Sequence, residues 1–229
     1  MAFLLYNLLL VLLAPLWAPW MLWRAAKRKE GPRWKERFGL LPLRPGPKRV
    51  WVHAVSVGEA IAARPILQEL RNRLPNHEIV LSTTTSSGQQ TAREQLAGCF
   101  DHLVYFPVDL LPCVAVALRR AAPEVVVLME TELWLNLLLV AKARGCATLL
   151  ANGRISDRSY GQSGPLRGYY RAILRHLDRA LMQDAASADR IRSWGARNAE
   201  VLGNVKFDTP LPPDRASQRR KFGFGVGLT

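Results

Sequence analysis

Three polar side chains suited to acid–base chemistry, His53, Ser56 and Glu59, lie within seven residues of one another. They follow Val50–Val52, an uncharged β-branched and aromatic run that is typical of a buried strand. A helical pattern begins after Gly58, with apolar residues at helical spacing. The three side chains are therefore predicted to lie where a strand ends and a helix begins, which is where open α/β sheets bind ligands.

Glu59 is the candidate general base of this cluster. The field of a helix N-terminus favours an ionised carboxylate, and an ionised carboxylate at the mouth of a sheet can accept a proton. The alternative is structural, since a glutamate in the first turn also compensates the helix dipole. The local sequence leaves both interpretations open.

Two further clusters follow other predicted strands. Ser82–Gly88 is rich in hydroxyl groups and includes Thr84, so it could cap a helix or bind an anion. Glu130 and Glu132 come directly after a wholly apolar run, where a carboxylate must be paired, protonated or functional.

Basic residues follow the later strands. Arg154 and Arg158 are four residues apart and could clamp a phosphate or pair with Glu130 or Glu132. Lys206, in the segment Gly203–Asp208, could face the same crevice.

These clusters require a scaffold that brings strand ends together, and the hydrophobic pattern predicts one. Predicted strands cover Val50–Val55, Ile79–Ser82, Leu103–Phe106, Val125–Met129, Thr148–Ala151, Ala180–Gln183 and Glu200–Leu202. Predicted helices cover Ala60–Leu74, Gly88–Leu96, Cys113–Arg120, Leu133–Arg144, Leu166–Leu177 and Ala188–Trp194. Alternation of this kind predicts an α/β, Rossmann-like parallel sheet with helices on both faces.

Composition limits the class of partner. The chain has 229 residues, 49% of them hydrophobic, and a formal net charge of +14, which implies an anionic partner such as nucleic acid, a membrane surface or a phosphorylated substrate. Its basic residues are not interleaved with aromatic ones, so nucleic-acid binding is not favoured. No dinucleotide fingerprint, P-loop or G-x-S-x-G elbow occurs. The three cysteines and four histidines lack the spacing of a metal site, and we expect no metal and no cofactor.

The N-terminus predicts a membrane anchor. Met1–Trp23 contains no charged residue, and Phe3–Trp23 has about the length that a helix needs to cross a bilayer. The stretch Arg24–Lys48 carries nine basic and two acidic residues, which places the body on the cytoplasmic side by the positive-inside rule. Because Pro15 and Pro19 would kink the helix, a shallow, monotopic insertion is one alternative. Burial of the helix against another protein is a second alternative. A cleaved signal peptide is disfavoured because a basic n-region and a cleavage site are missing.

Four motifs in order resemble one known family. His53–Glu59, Met129–Trp134, Asn152–Ser159 and Gly203–Asp208 are together similar to the 3-deoxy-D-manno-octulosonic acid (Kdo) transferases of lipopolysaccharide synthesis. The apolar N-terminus with its basic flank is similar too, and the resemblance covers about residues 3–215. It implies a GT-B architecture of two Rossmann-like domains, of which this chain is the N-terminal one.

The resemblance also implies a reaction and its residues. Kdo would pass from CMP-Kdo to a phosphorylated lipid A precursor with inversion, without a metal or a covalent intermediate. Glu59 would be the general base, while Glu130 and Lys206 would stabilise the transition state. We assign substrate contacts to Ser56, Gly58, Thr84, Arg154 and Arg158. The expected location is the inner membrane, with a single N-terminal anchor.

The sequence also departs from the family pattern. Leu135 stands where the family commonly has proline, Gly161–Pro165 replaces a usually more basic stretch, and Arg219–Thr229 drifts away from the pattern. We therefore expect a truncated or frame-shifted reading frame that lacks the C-terminal, CMP-Kdo-binding domain and transfers little or no sugar by itself.

The resulting domain prediction has four parts: an anchor (1–24), a basic juxtamembrane segment and linker (25–48), an acceptor-binding domain (49–215) and a divergent tail (216–229). The alternative function is a non-catalytic, membrane-tethered module that binds an anionic lipid or a partner subunit. A remoter alternative is a fragment of a GT-B glycosyltransferase with a different acceptor.

Overall fold

A computed structural model of the protein describes residues 2–16, 19, 23 and 33–208. Its strands are β1 (Lys48–His53), β2 (His77–Thr83), β3 (His102–Tyr105), β4 (Val125–Met129), β5 (Ala147–Gly153), β6 (Arg179–Met182) and β7 (Ala199–Val201). Its helices are α1 (Ala2–Leu12), α2 (Trp34–Arg37), α3 (Val57–Arg73), α4 (Ser86–Gln95), α5 (Leu111–Ala121), α6 (Leu135–Ala143), α7 (Asp157–Gln162), α8 (Arg167–Leu174) and α9 (Ala185–Trp194). Short 3₁₀ turns cover Gly164–Leu166 and Val205–Asp208.

The seven strands form one parallel sheet in the order β3-β2-β1-β4-β5-β6-β7, which confirms the predicted fold class. The first strand therefore lies inside the sheet, between β2 and β4. The chain builds outward from β1 to β3, then returns to the other side of β1 and continues to β7. This order creates a switch point between β1 and β4.

Alternate side chains of the central strands enter two separate cores. Trp51 of β1 and Leu128 of β4 pack in a core shared with α5, α6, α8 and α9. Val52 and Met129, which point to the opposite face, pack in a second core shared with α3 and α4. Both faces of the sheet are thus covered, as the continuous apolar run of β4 predicts.

Helices α3, α4, α5 and α9 begin two or three residues earlier than predicted, whereas α6 and α8 begin one or two residues later. Ser56, Thr85 and Asp184 are N-caps whose side-chain oxygens accept hydrogen bonds from backbone N–H groups three residues on. These caps fix the early starts of α3, α4 and α9, which the spacing of apolar residues alone does not show. Helix α7 was missed for a related reason, since none of its residues is buried.

The prediction of one spanning helix over Phe3–Trp23 is not confirmed. Helix α1 ends at Leu12, and after a turn at Leu13 residues 14–16, 19 and 23 are again helical. Among the residues that the structure describes, no helix is both long and apolar enough to cross a bilayer. The rest of the predicted anchor, at positions 17, 18, 20–22 and 24, lies outside the described residues.

Helix α1 packs on the domain through its polar side chains. The hydroxyl of Tyr6 donates to Oδ2 of Asp109 at 2.8 Å, and its ring lies 5.6 Å from that of Tyr169 in α8. The amides of Asn7 and Asn136 exchange hydrogen bonds of 3.0 and 2.9 Å. These contacts fix α1 beside the first turn of α6.

The segment before β1 also contacts the sheet. Oε2 of Glu36 in α2 accepts a 2.7 Å hydrogen bond from the backbone N–H of Tyr105, and Leu41 is fully buried in the core. The described part of the predicted linker therefore packs on the domain. The predicted tail (216–229) lies outside the described residues, and the predicted domain boundaries stay a prediction.

Candidate active site

The candidate site lies at the carboxyl edge of the sheet, across the switch point. Val52 of β1 pairs with Val127 of β4, so these two strands end side by side. Glu59 follows β1 and Glu130 follows β4, while the helices after the two strands cover opposite faces. Ligands of open α/β sheets bind in the crevice that such a reversal leaves.

Glu59 occupies the third position of α3 and forms a capping box with Ser56. The backbone N–H of Glu59 donates to Oγ of Ser56 at 3.4 Å, and that hydroxyl donates to Oε1 of Glu59 at 2.8 Å. Oε2 accepts a 2.9 Å hydrogen bond from the backbone N–H of Val55. Glu59 therefore does stabilise the N-terminus of α3, and any role in chemistry must be compatible with these hydrogen bonds.

Burial has the largest effect on the pKa of Glu59. Only 7% of the residue is exposed, and this burial raises the pKa of its carboxyl group, against the lowering effect of the hydrogen bonds from Val55 and Ser56. The negative charge of Glu130 raises the pKa further. We expected the helix N-terminus to keep the carboxylate ionised, but desolvation outweighs that field. A raised pKa makes Glu59 a stronger base once it is deprotonated.

Glu130 and Lys206 form an ion pair at the same edge. Nζ of Lys206 lies 3.6 Å from Oε1 of Glu130, and both side chains are partly exposed. The loop that carries Lys206 is fixed by Asn152, whose Oδ1 accepts a 3.2 Å hydrogen bond from the backbone N–H of Val205. The two predicted residues thus lie together, and Asn152 is a positioning residue that we did not assign to the site.

Glu132 is a further site residue that the sequence analysis named but did not assign to the site. Burial raises the pKa of its carboxyl group to about 7, and the negative charge of Glu59 raises it as well. Three carboxyl groups therefore influence one another here. Because like charges in a desolvated crevice resist ionisation together, Glu132 gains or loses its proton near neutral pH.

Gly58 and Thr84 border the same helix start. A Cβ atom added at Gly58 would meet no atom within 4 Å, so the first turn of α3 faces open space. The backbone N–H of Thr84 donates to the carbonyl of Val55 at 3.3 Å. Its buried hydroxyl has no hydrogen-bond partner among the described residues, whereas Thr85 is the cap of α4. A ligand with a polar group at this position would satisfy the hydroxyl of Thr84.

Arg154 lies next to the carboxylates through its backbone, and neither Arg154 nor Arg158 pairs with them. Thr131 donates a hydrogen bond to the backbone carbonyl of Arg154, which places Arg154 next to the Glu130–Glu132 turn. Both arginines are exposed, and within residues 33–208 neither forms an ion pair with Glu130 or Glu132. The pairing alternative is therefore wrong, and both guanidinium groups face solvent at this edge.

His53 has a structural place. It is fully buried, stacks on Phe106 with ring centroids 3.9 Å apart, and places Nδ1 2.9 Å from Oγ of Ser82. Burial lowers the pKa of its imidazole to about 3, so His53 is neutral and packs in the core. Although three glutamates share this edge, no group of three metal-ligating side chains suited to a metal ion occurs among the described residues.

The arrangement suits proton abstraction next to a developing charge. Glu59 supplies a desolvated base, and Lys206 supplies a cation held by Glu130. Arg154 and Arg158 offer positive charge for an anionic ligand. A hydroxyl-bearing, phosphorylated substrate matches all three features.

A family profile and the similar curated proteins carry the same family description. A family profile described as 3-deoxy-D-manno-octulosonic-acid transferase (kdotransferase) matches residues 32–209. The chain is 38% identical over 219 residues to the 3-deoxy-D-manno-octulosonic acid transferase of Bordetella pertussis, which covers 90% of this chain and 50% of that protein. It is 31% identical over 193 residues to the enzyme of the same name from Chlamydia trachomatis serovar D, with 82% and 44% covered. The chain spans about half the length of the curated relatives it matches.

Solved structures with the same fold are more distant in sequence. An S. aureus MnaA–UDP structure matches with a TM-score of 0.55 and 12% identity, covering 76% of this chain and 51% of that one. A Neisseria meningitidis UDP-GlcNAc 2-epimerase bound to UDP-GlcNAc matches with a TM-score of 0.52 and 13% identity, covering 70% and 48%. These likenesses show a GT-B-like fold.

Proposed function

This chain belongs to the 3-deoxy-D-manno-octulosonic acid transferase family, and we propose that it is the acceptor-binding half of an enzyme that transfers Kdo from CMP-Kdo to a phosphorylated lipid A precursor. The observation that carries this proposal is the position of Glu59, Glu130 and Lys206 together at the switch point of the sheet. Family membership supplies the transferred sugar, and the site supplies a base and a cation.

The proposed reaction is a direct displacement. Glu59 takes the proton from a sugar hydroxyl of the acceptor, and the hydroxyl oxygen forms a bond to the anomeric carbon of Kdo. The bond from that carbon to the CMP phosphate breaks, and CMP leaves with the electron pair. Attack opposite the leaving group inverts the anomeric centre. Lys206, held by Glu130, offsets negative charge that develops in the transition state.

The acceptor is held by groups around the base. Arg154 and Arg158 are exposed cations and suit a phosphate of the lipid A precursor. Ser56, Gly58 and Thr84 border the start of α3, where the open space beside Gly58 admits the sugar. We propose no metal and no cofactor for this step.

We also propose that the chain works at the cytoplasmic face of the inner membrane. Several leucines of α1 are exposed, with Leu4 69% and Leu12 62% accessible, and such apolar surface marks a site of membrane or protein contact. The basic residues between Arg24 and Lys48 suit anionic headgroups. A shallow insertion of α1 fits a helix of 11 residues better than a span does.

We propose that CMP-Kdo binds outside residues 1–208. These residues by themselves should bind the acceptor and transfer little or no Kdo. A test is to join residues 1–208 to the C-terminal half of the Bordetella pertussis transferase and to measure transfer from CMP-Kdo to the lipid A precursor.

The hybrid should transfer Kdo, and the same hybrid with Glu59→Ala should lose transfer while it still binds the lipid. A folded hybrid that binds both substrates without transferring sugar would contradict the proposed function. If the hybrid binds the lipid without transferring Kdo, and Glu59→Ala removes that binding, the chain is a binding module rather than half of an enzyme.

A further inference from the structure

An apolar groove with a volume of about 470 Å³ lies between α1 and the start of α8. Leu5, Tyr6 and Leu9 line one side, and residues 165, 166, 168 and 169 line the other. Leu5 and Leu166 are each at least half exposed, so the groove is continuous with the apolar outer surface of α1. We propose that this groove holds an acyl chain of the lipid acceptor, an inference that rests on the proposed function.

The size of the groove favours a single chain. Its volume lies in the range of small-molecule sites, about 300–1,000 Å³. At about 30 Å³ for a water-sized group, it has room for roughly 16 methylene groups. A protein partner would need about 800 Å² of its own surface in contact, which is more than this narrow groove offers.

The groove lies near the carboxylate cluster of Glu59, Glu130 and Glu132. Tyr6 lines the groove and donates its hydroxyl to Asp109, and the next residue, Asn7, exchanges hydrogen bonds with Asn136. Asn136 is only four residues from Glu132, a stretch that spans at most about 14 Å. A lipid whose sugar lies beside Glu59 therefore reaches α1 with its acyl chains.

Charge next to the groove suits an anionic lipid. Arg167 lies between Leu166 and Gly168, both of which line the groove, and its side chain is exposed. Within residues 33–208, Arg167 forms no ion pair with an acidic side chain. A cation beside an apolar groove matches a molecule that carries phosphate at one end and hydrocarbon at the other.

Gly168 allows a direct test, because a Cβ atom added there would meet no atom within 4 Å. Gly168→Leu should fill the groove without a backbone clash. Gly161→Leu, in α7, is the matched control, since the surroundings of Gly161 are equally open and it does not line the groove. The probes are the phosphorylated lipid A precursor and its fully deacylated counterpart, titrated calorimetrically against the full chain in the same detergent.

The wild type should prefer the acylated probe, and Gly168→Leu should reduce that preference by about tenfold to a hundredfold, as expected when several methylene groups return to water. Gly161→Leu should leave the preference unchanged. An unaltered preference in folded Gly168→Leu overturns the inference. If the wild type binds neither probe, the proposed function fails and the inference fails with it. If it binds both probes equally, the inference alone fails.

Two further measurements test the inference independently: the first needs no variant, and the second needs no acceptor. A precursor with a photoreactive diazirine at the end of one acyl chain should label wild-type residues 5–9 or 165–169, and labelling confined to other residues overturns the inference. Phosphatidylglycerol vesicles without the precursor supply the other source of acyl chains. If Gly168→Leu weakens binding to these vesicles as much as it weakens binding of the acylated precursor, the groove belongs to a bilayer lipid. That result would overturn its assignment to the acceptor.

Discussion

Glu59→Gln separates the chemical role of Glu59 from its role in the helix cap. A glutamine amide oxygen still accepts the hydrogen bond from the backbone N–H of Val55. The hydroxyl of Ser56, which now donates to Oε1, can turn and accept from the amide nitrogen instead. Glutamine is therefore as suitable as glutamate at this position of a capping box, and the fold should be retained.

The expected effects differ in size. Loss of a general base lowers the rate by about 10²- to 10⁴-fold. Loss of the cap in Glu59→Ala costs about 0.5–2 kcal/mol, whereas Glu59→Gln should cost less than that. Glu59→Gln should consequently abolish most transfer while the thermal midpoint stays close to that of the wild type.

The assay is single-turnover transfer of Kdo by the hybrid that carries a donor-binding half, with thermal unfolding measured on the same samples. Glu69→Gln is the matched control, because Glu69 lies in the same helix and, among residues 33–208, forms an ion pair only with the exposed Arg73. The control should keep both its rate and its midpoint. A folded Glu59→Gln hybrid that keeps more than about a tenth of the wild-type rate would refute the general-base assignment.

Three further predictions follow from individual contacts. Glu132 should titrate at about pH 7, and Glu59→Gln should lower its pKa because a neighbouring negative charge is removed; carboxyl chemical shifts followed by NMR would show this, and an unchanged midpoint would argue against the coupling. Arg49→Ala should lower the free energy of unfolding in urea by about 3–5 kcal/mol, because the side chain is 1% exposed, pairs with Glu78 and donates to two backbone carbonyls. Arg179→Ala is the control and should cost less than about 1 kcal/mol, because its ion pair is exposed. Arg154→Ala should weaken binding of the phosphorylated acceptor by about tenfold at low salt and less at high salt, and an equal loss with a dephosphorylated acceptor would exclude a phosphate contact.

The sheet could be predicted from sequence because its signal is local. Strands buried on both faces are short continuous apolar runs, and each polar cluster comes directly after one of them. Since parallel strands all end at one edge, local assignments of strands were enough to bring Glu59, Glu130 and Lys206 together. The strand order also follows from simple connections, except for the return from β3 to β4, which the sequence does not reveal.

What the sequence did not predict depends on contacts between distant residues. The hydrogen bonds from α1 to Asp109 and Asn136 join residues more than a hundred positions apart. An apolar run gives no sign of such polar contacts, and length and hydropathy alone therefore favoured a membrane span. The pKa of Glu59 was misjudged for a similar reason, since the neighbouring carboxyl group of Glu130 and the extent of burial follow from the folded crevice.

Backbone strain at the strand ends connects the fold to the site. Glu130, directly after β4, and Asn152, the last residue but one of β5, both have a φ of +55°. A left-handed conformation costs a residue with a Cβ about 1–2 kcal/mol, which glycine would avoid. Asparagine tolerates this conformation, but glutamate has no local hydrogen bond that compensates for it. The backbone N–H of Glu130 donates a 2.9 Å hydrogen bond to the carbonyl of Ala151, which helps to hold this conformation, and in it the side chain of Glu130 pairs with Lys206. Asn152 fixes the other partner, because it accepts the hydrogen bond from Val205 and so holds Lys206 within reach of Glu130.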